Sequence, residues 1–213
     1  WKAFNSPELN RLVYTAVDDN FDSRSSWASL RQARAVAVQA RAGLFPSLDA
    51  SLDASRTRTY RDGDLRADSK SSALELAASY ELDLWGRIRS GYTADQLSTR
   101  AAYEDLRSAA ISLTGEVVDT WVNILAQRHE MQVVREQIAT NEQLLRLQTT
   151  RFENGMASAL EVTQQQELVA NSRSALPPLQ AGEKVALHRL AVLAGQADAD
   201  ALSVTAHTLP EPA

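Results

Sequence analysis

The sequence predicts a mainly α-helical chain: long, antiparallel, coiled-coil-like helices interrupted by one amphipathic β-hairpin. Three observations lead there. From Arg87 to about Phe152 there is no Pro, and large apolar residues recur in steps of three, four and seven. Between Ser47 and Leu84 that spacing gives way to a period of two. The composition favours Ala, Leu, Gln and Arg, with only 8 Gly and 6 Pro in 213 residues, and so leans helical.

The first helix is expected to start at Ser6-Pro7-Glu8. Ser6 can cap, Pro7 suits the first helical position, and Glu8 favours the positive helix end. Leu9, Leu12, Val13, Ala16 and Val17 follow at helical spacing, and Asp18-Asp19-Asn20 interrupts them. A second helix is expected from near Asp22 to Ala42, ended by Gly43 and Pro46. Its Arg31, Arg34 and Arg41 read as a solvated face or as bundle contacts.

The period-two region has two strands. In the first, Leu48, Ala50, Leu52 and Ala54 alternate with Ser47, Asp49, Ser51 and Asp53. In the second, Leu74, Leu76, Ala78, Tyr80, Leu82 and Leu84 share one face, and Glu75, Glu81 and Asp83 lie on the other. Arg56 to Lys70, with Asp62-Gly63-Asp64, reads as the hairpin loop between them. Two strands alone are marginal in water. Such a hairpin is either an amphipathic layer on a soluble sheet or a piece of an oligomeric membrane β-barrel, with lipid outside and water inside.

The long helix after Gly86 carries Leu106, Leu113, Val117, Trp121, Ile124, Met131, Val134, Ile138 and Leu145 in its seam. At 1.5 Å per residue it would run about 100 Å, so it must pack lengthwise on other helices. Asn154-Gly155 breaks it. Ser158 and Glu161 have the spacing of a capping box for the next helix. Val162, Val169, Leu176, Leu179, Leu190 and Leu193 continue the seam, with a kink expected at Pro177-Pro178 and a stop at Gly195. The turn Arg151–Ser158 is either an ordinary helix–helix connection or, with Met156 exposed beside Gly155, a docking surface.

Several functions are excluded or disfavoured. The net charge of 22 − 27 = −5 argues against nucleic acid as a partner. Without cysteine there is no disulfide scaffold, thiolate zinc site, cysteine nucleophile or iron–sulfur cluster. His129, His188 and His207 are far apart, and Asp62, Asp64 and Asp68 do not have the spacing of a calcium loop. No phosphate loop, nucleophile elbow or dinucleotide fingerprint is present, so neither a cofactor nor enzymatic activity is expected. Trp1 opens the chain with no basic-then-apolar leader, which reads as a processed or trimmed start.

Four stretches together resemble the TolC-type outer-membrane factor family, in the lipoprotein branch that works with resistance–nodulation–division pumps. Leu30-Arg31-Gln32-Ala33-Arg34-Ala35 through Leu44-Phe45-Pro46-Ser47-Leu48 resembles the first helix running into the first strand. Tyr80-Glu81-Leu82-Asp83-Leu84-Trp85-Gly86-Arg87 resembles the strand-to-helix signature, the most specific match. Arg151-Phe152, Gly155, Ser158 and Leu160-Glu161-Val162 resemble the tip motif, and Leu190-Ala191-Val192-Leu193-Ala194-Gly195 resembles the end of the first of two repeats.

The resemblance implies a homotrimer whose subunits share a twelve-stranded barrel in outer-membrane lipid and a helical tunnel in the periplasm. It also implies a periplasmic adaptor and an inner-membrane efflux pump as partners. On that basis residues 1–45 are helices of the periplasmic bundle and 46–86 the barrel hairpin. Residues 87–195 are the long helical hairpin with its tip at 152–158, and 196–213 a linker to a second repeat not in this sequence; a lipid-carrying Cys is expected upstream. Leu48, Leu52, Leu74, Leu76, Tyr80, Leu82 and Leu84 would face lipid. Asp49, Asp53, Glu75 and Glu81 would face the lumen, and Asn154, Gly155, Met156, Ala157 and Ser158 would dock the adaptor. The expected activity is a passive exit duct for solutes. The rival is a soluble coiled-coil adaptor of a transport complex, which would normally carry a lipoyl-like β domain that is not seen here.

Overall fold

The structure is a computed structural model that describes residues 1–61, 64–197 and 204–206, with no side chains described at 60–66. A short 3-10 turn, Lys2–Phe4, leads into α1 (Pro7–Asp19) and α2 (Phe21–Ala42). Strands β1 (Ser47–Arg61) and β2 (Asp64–Ser79) follow, then α3 (Arg87–Glu153), α4 (Ala159–Ser174) and α5 (Leu176–Leu193). The chain divides into two compact units, one of residues 1–27 with 106–213 and one of residues 28–105.

In the first unit, Ser6 caps α1 as expected, its Oγ accepting from the Leu9 amide at 3.2 Å with Pro7 in the first turn. Leu9, Leu12, Val13 and Ala16 are all buried on one face of α1. They pack with Val117, Trp121, Ile124 and Leu125 of α3 and with Ala186, Leu190 and Ala191 of α5. Phe4 meets the Trp121 ring edge-on, with centroids 6.5 Å apart. Apart from the half-buried Phe4, these residues form the one large cluster of buried apolar side chains among the described residues.

The Asp18-Asp19-Asn20 interruption is a single buried residue. Asn20 Oδ1 accepts from the amides of Asp22 (2.8 Å) and Ser23 (3.1 Å), starting α2 directly after α1. Its Nδ2 donates to the Leu193 carbonyl at 3.0 Å, tying the junction to the end of α5. In the expected linker, residues 204–206 are held in place. Arg128 Nη1 donates to the carbonyls of Val204 and Ala206, both at 2.8 Å, and the Glu8 carboxylate accepts from the Thr205 and Ala206 amides. His207, Pro210 and Pro212 lie outside the described residues.

The helical run is interrupted just ahead of Pro177-Pro178, at Ala175 alone, which itself keeps right-handed helical dihedrals. Neither proline has an N–H to donate to the preceding turn, so α4 stops at Ser174 and α5 starts at Leu176. Both prolines then occupy the first turn of the new helix, where those donors are not needed.

The second unit holds the later part of α2, the hairpin and the start of α3. Leu30 is fully buried there, and Thr99 Oγ1 donates to the Ala33 carbonyl at 3.2 Å, joining α3 to α2. Two expectations for the hairpin are corrected. The ladder extends through most of the predicted loop, with Thr57 opposite Ser69, Arg58 opposite Asp68 and a bulge at Thr59/Tyr60. Thr residues favour strand backbone, and Arg56 and Arg58 find Asp68 across the ladder, so the charged stretch pairs instead of looping. Asp64 pairs with Arg61, and Asp62 and Gly63 of the expected turn lie outside the described residues.

At the other end β2 is shorter than predicted. Tyr80, Leu82 and Leu84, and likewise Glu81, were expected on the strand but follow its last residue, Ser79. Ser79 pairs with Ser47, the first residue of β1, and Pro46 before it has no N–H to extend the ladder. The backbone of 80–86 turns towards α3 instead, with the Leu84 amide donating to the Leu82 carbonyl at 3.0 Å.

Candidate functional site

Two candidate sites emerge, one in each unit. The hairpin is the first. Directly paired residues of a ladder share a face, so register sorts the side chains. Leu48 pairs with Ala78, Ala50 with Leu76, and Leu52 with Leu74, which makes one face wholly aliphatic over these rungs. Asp49 pairs with Ala77, Ser51 with Glu75, and Asp53 with Ala73 on the opposite, acidic face. Serine pairs bridge the ladder on that face, Ser47 to Ser79 at 2.8 Å and Ser55 to Ser71 at 2.7 Å.

Neither face is covered by other described residues of the chain. Leu48, Leu52, Leu74 and Leu76 keep 68–75% of their surface exposed. Four exposed leucines on one face form an apolar patch of the kind that marks a contact with a membrane or a partner. The sequence-predicted set is thus divided. Leu48, Leu52, Leu74 and Leu76 come together, as do Asp49, Asp53 and Glu75, whereas Tyr80, Leu82, Leu84 and Glu81 lie beyond the ladder.

Glu81 and the nearby Asp83 build a hydrogen-bonded corner. Glu81 accepts two hydrogen bonds from Arg87 Nη2, at 2.7 and 2.8 Å. Asp83 Oδ2 accepts from the Arg89 amide in the first turn of α3, and this bond, with further amides and the Arg89 charge, lowers the Asp83 pKa below the ordinary carboxylate range. Gly86 between them adopts φ +77°, open to glycine without strain. The acidic residues of the strand-to-helix signature therefore start a helix. Sequence reading missed this because it assigned them by strand parity.

The second site is the turn after α3. Gly155 adopts φ +72°. Its amide donates to the Phe152 carbonyl at 2.9 Å, and the Met156 amide donates to the Arg151 carbonyl at 2.8 Å, which is a Schellman ending. Two residues later the expected capping box is present: Ser158 Oγ accepts from the Glu161 amide, and the Glu161 carboxylate accepts from the Ser158 amide. Asn154 Nδ2 donates to the Thr150 carbonyl at 2.7 Å. Asn154, Gly155, Met156, Ala157 and Ser158 are thus brought into one fixed turn, from which Met156 projects 63% exposed.

No cluster of three metal-ligating side chains occurs among the described residues, and no described helix is long and apolar enough to cross a membrane. The latter says nothing of strands.

Comparison with known proteins now decides the family. Residues 12–196 match the family described as outer membrane efflux protein. The chain belongs to that family. That places it at the outer membrane, with its helices on the periplasmic side. It is 38% identical over 204 residues to the pyoverdine export outer membrane protein OpmQ of Pseudomonas aeruginosa, covering 92% of this chain and 43% of that one. It is 31% identical over 178 residues to the toluene efflux pump outer membrane protein TtgF of Pseudomonas putida, covering 81% and 37%. Among solved structures, the outer-membrane channel OprN superposes with a TM-score of 0.88 at 27% identity, over the whole of this chain and 48% of that one. The chain thus spans less than half the length of these relatives.

Proposed function

We propose that this efflux-family chain contributes to the wall of a passive outer-membrane exit duct, working in a tripartite system with a periplasmic adaptor and an inner-membrane pump. One observation carries the reading: a hairpin with an aliphatic face and an acidic face, both bare. Lipid against Leu48, Leu52, Leu74 and Leu76, and water against Asp49, Asp53 and Glu75, satisfies both at once. Strands from further subunits complete the ring, and the family resemblance supports three subunits.

No bond is made or broken in this role. The acidic lumen face keeps the passage hydrated, and the pump supplies the energy. The fixed turn at Asn154–Ser158 is the docking point for the adaptor, with Met156 as its apolar contact. The cargo for which relatives are named, pyoverdine or toluene, suggests small organic solutes as the class carried.

The test is made in the full-length protein. Outer-membrane vesicles carrying it should show a detergent-extractable oligomer with residues 47–79 protected from protease, and cysteine at position 49 or 53 labelled by a water-soluble thiol reagent. A protein recovered in the soluble periplasmic fraction with an unprotected hairpin would overturn the duct.

A further inference from the structure

The aliphatic face of the hairpin changes character towards its tip. Beyond Ala54 and Ser72 the same face carries Arg56 opposite Lys70, then Arg58 opposite Asp68. Three cations face one carboxylate, a local surplus of 3 − 1 = 2 positive charges. Asp68 is already committed to both arginines: Arg56 Nε donates at 2.8 Å, and Arg58 Nε lies at 3.5 Å. Lys70 has no carboxylate partner among the described residues. Its direct neighbour across the ladder is Arg56, whose charge Asp68 already meets, so Lys70 faces a cation there and no carboxylate of its own among the described residues.

The helix-side end of the same band is different. Phe45, Tyr80 and Trp85 stand exposed there, Trp85 at 91%. Aromatic side chains suit a membrane interface, whereas cations suit a layer of phosphate. The spacing agrees. Nine steps from Ser47 to Arg56 cover about 30 Å of strand at ~3.3 Å each. Tilted as barrel strands are, that is roughly the 25 Å height of an outer-membrane apolar band. At their other ends β1 and β2 lead into α2 and α3, so the cationic end is the one further along the chain from the helices.

We propose that Arg56, Arg58 and Lys70 form a binding site for the phosphate groups of an outer-leaflet glycolipid, a diphosphorylated headgroup matching the two surplus charges. Lys70 and the free N–H groups of Arg58 donate to phosphate oxygens, while Asp68 keeps both arginines extended along the strand. The site rests on the duct reading above, because it needs the aliphatic face in lipid.

The test uses full-length protein in phosphatidylcholine nanodiscs doped with diphosphoryl lipid A or with its dephosphorylated form. Lipid A retained per protein is measured after exchange, and insertion is scored separately by protease protection of the hairpin. Wild-type protein should enrich diphosphoryl lipid A over the dephosphorylated form, and R58Q/K70Q should lose at least about fivefold of that preference. R58K/K70R, which keeps the charge, should retain it. Inserted wild-type protein without enrichment, or R58Q/K70Q with full enrichment, overturns the headgroup site. Failure of wild-type protein to insert overturns the duct reading instead. If R58Q/K70Q does not insert, K70Q alone, which leaves both Asp68 contacts in place, should still lower the preference, and an unchanged value overturns the site.

Discussion

Arg89 binds Asp83 twice: its amide donates to Asp83 Oδ2 and its Nη2 donates to the Asp83 carbonyl, each at 2.9 Å. The pair fixes the corner where the chain leaves the hairpin and enters α3. A carboxylate at this helix start also meets the positive end of the helix dipole.

Acid should therefore loosen that corner. The Asp83 pKa is lowered, mainly by the Arg89 amide, so its contribution is complete at neutral pH. It is lost only as pH falls below about 3.9, the ordinary carboxylate value, and through the lowered value of the folded state. Hydrogen exchange at residues 87–90 of the full-length protein, corrected for intrinsic rate, should be flat from pH 7 to 5 and rise below that window. Asp83→Ala should show fast exchange at every pH.

Leu76→Arg should impair membrane assembly by about 2–4 kcal/mol where the residue sits near the bilayer midplane. Its neighbour Glu75 faces the other way, so Glu75→Gln should leave oligomer yield close to wild type. The two yields are read side by side on a heat-modifiability gel. Equal yields would remove the sidedness assigned to the hairpin.

Gly155→Val should cost about 1–2 kcal/mol, because a β-branched residue resists the left-handed conformation the Schellman turn requires. No neighbouring atom lies within 4 Å of a Cβ built there, so the cost is conformational and local. Adaptor cross-linking from the tip should fall while oligomer yield holds. Unchanged cross-linking would reject the docking role.

Gly195→Ala should be worse than the same change at Gly155. Gly195 also has positive φ, at +70°, and a Cβ there would collide with the Asp19 carbonyl oxygen. Strain and overpacking together are worth about 2–4 kcal/mol. A thermal scan of the full-length protein should show Gly195→Ala with the lower midpoint of the two alanine variants.

Much of this was readable in the sequence. Ser6-Pro7, Ser158 with Glu161, Gly155 and Gly195 are local signals, and each does locally what its chemistry allows. The alternation from Leu48 to Ala54 and at Leu74, Leu76 and Ala78 held because a period of two has one structural meaning. The failures came where a partner decides. Parity carried Tyr80, Leu82 and Leu84 onto a strand, but Pro46 left them nothing to pair with. Charge turned Arg56–Lys70 into a loop, although Arg56 and Arg58 keep the parity of Leu48 and Leu52, and that parity was the available signal. The break at Asn20 was legible, but its bond to the Leu193 carbonyl, 173 residues away, was not.

Among the described residues β1 and β2 pair only with each other, so each has one outer edge of free amides and carbonyls. In hydrocarbon every such group costs several kcal/mol. A solitary hairpin is therefore at home in neither phase: lipid refuses its edges, and water refuses its leucines. In the duct proposed above, the bilayer would act as an assembly inspector, admitting a ring whose last seam is zipped and turning away any incomplete set of subunits. Backbone hydrogen bonds would then set the stoichiometry.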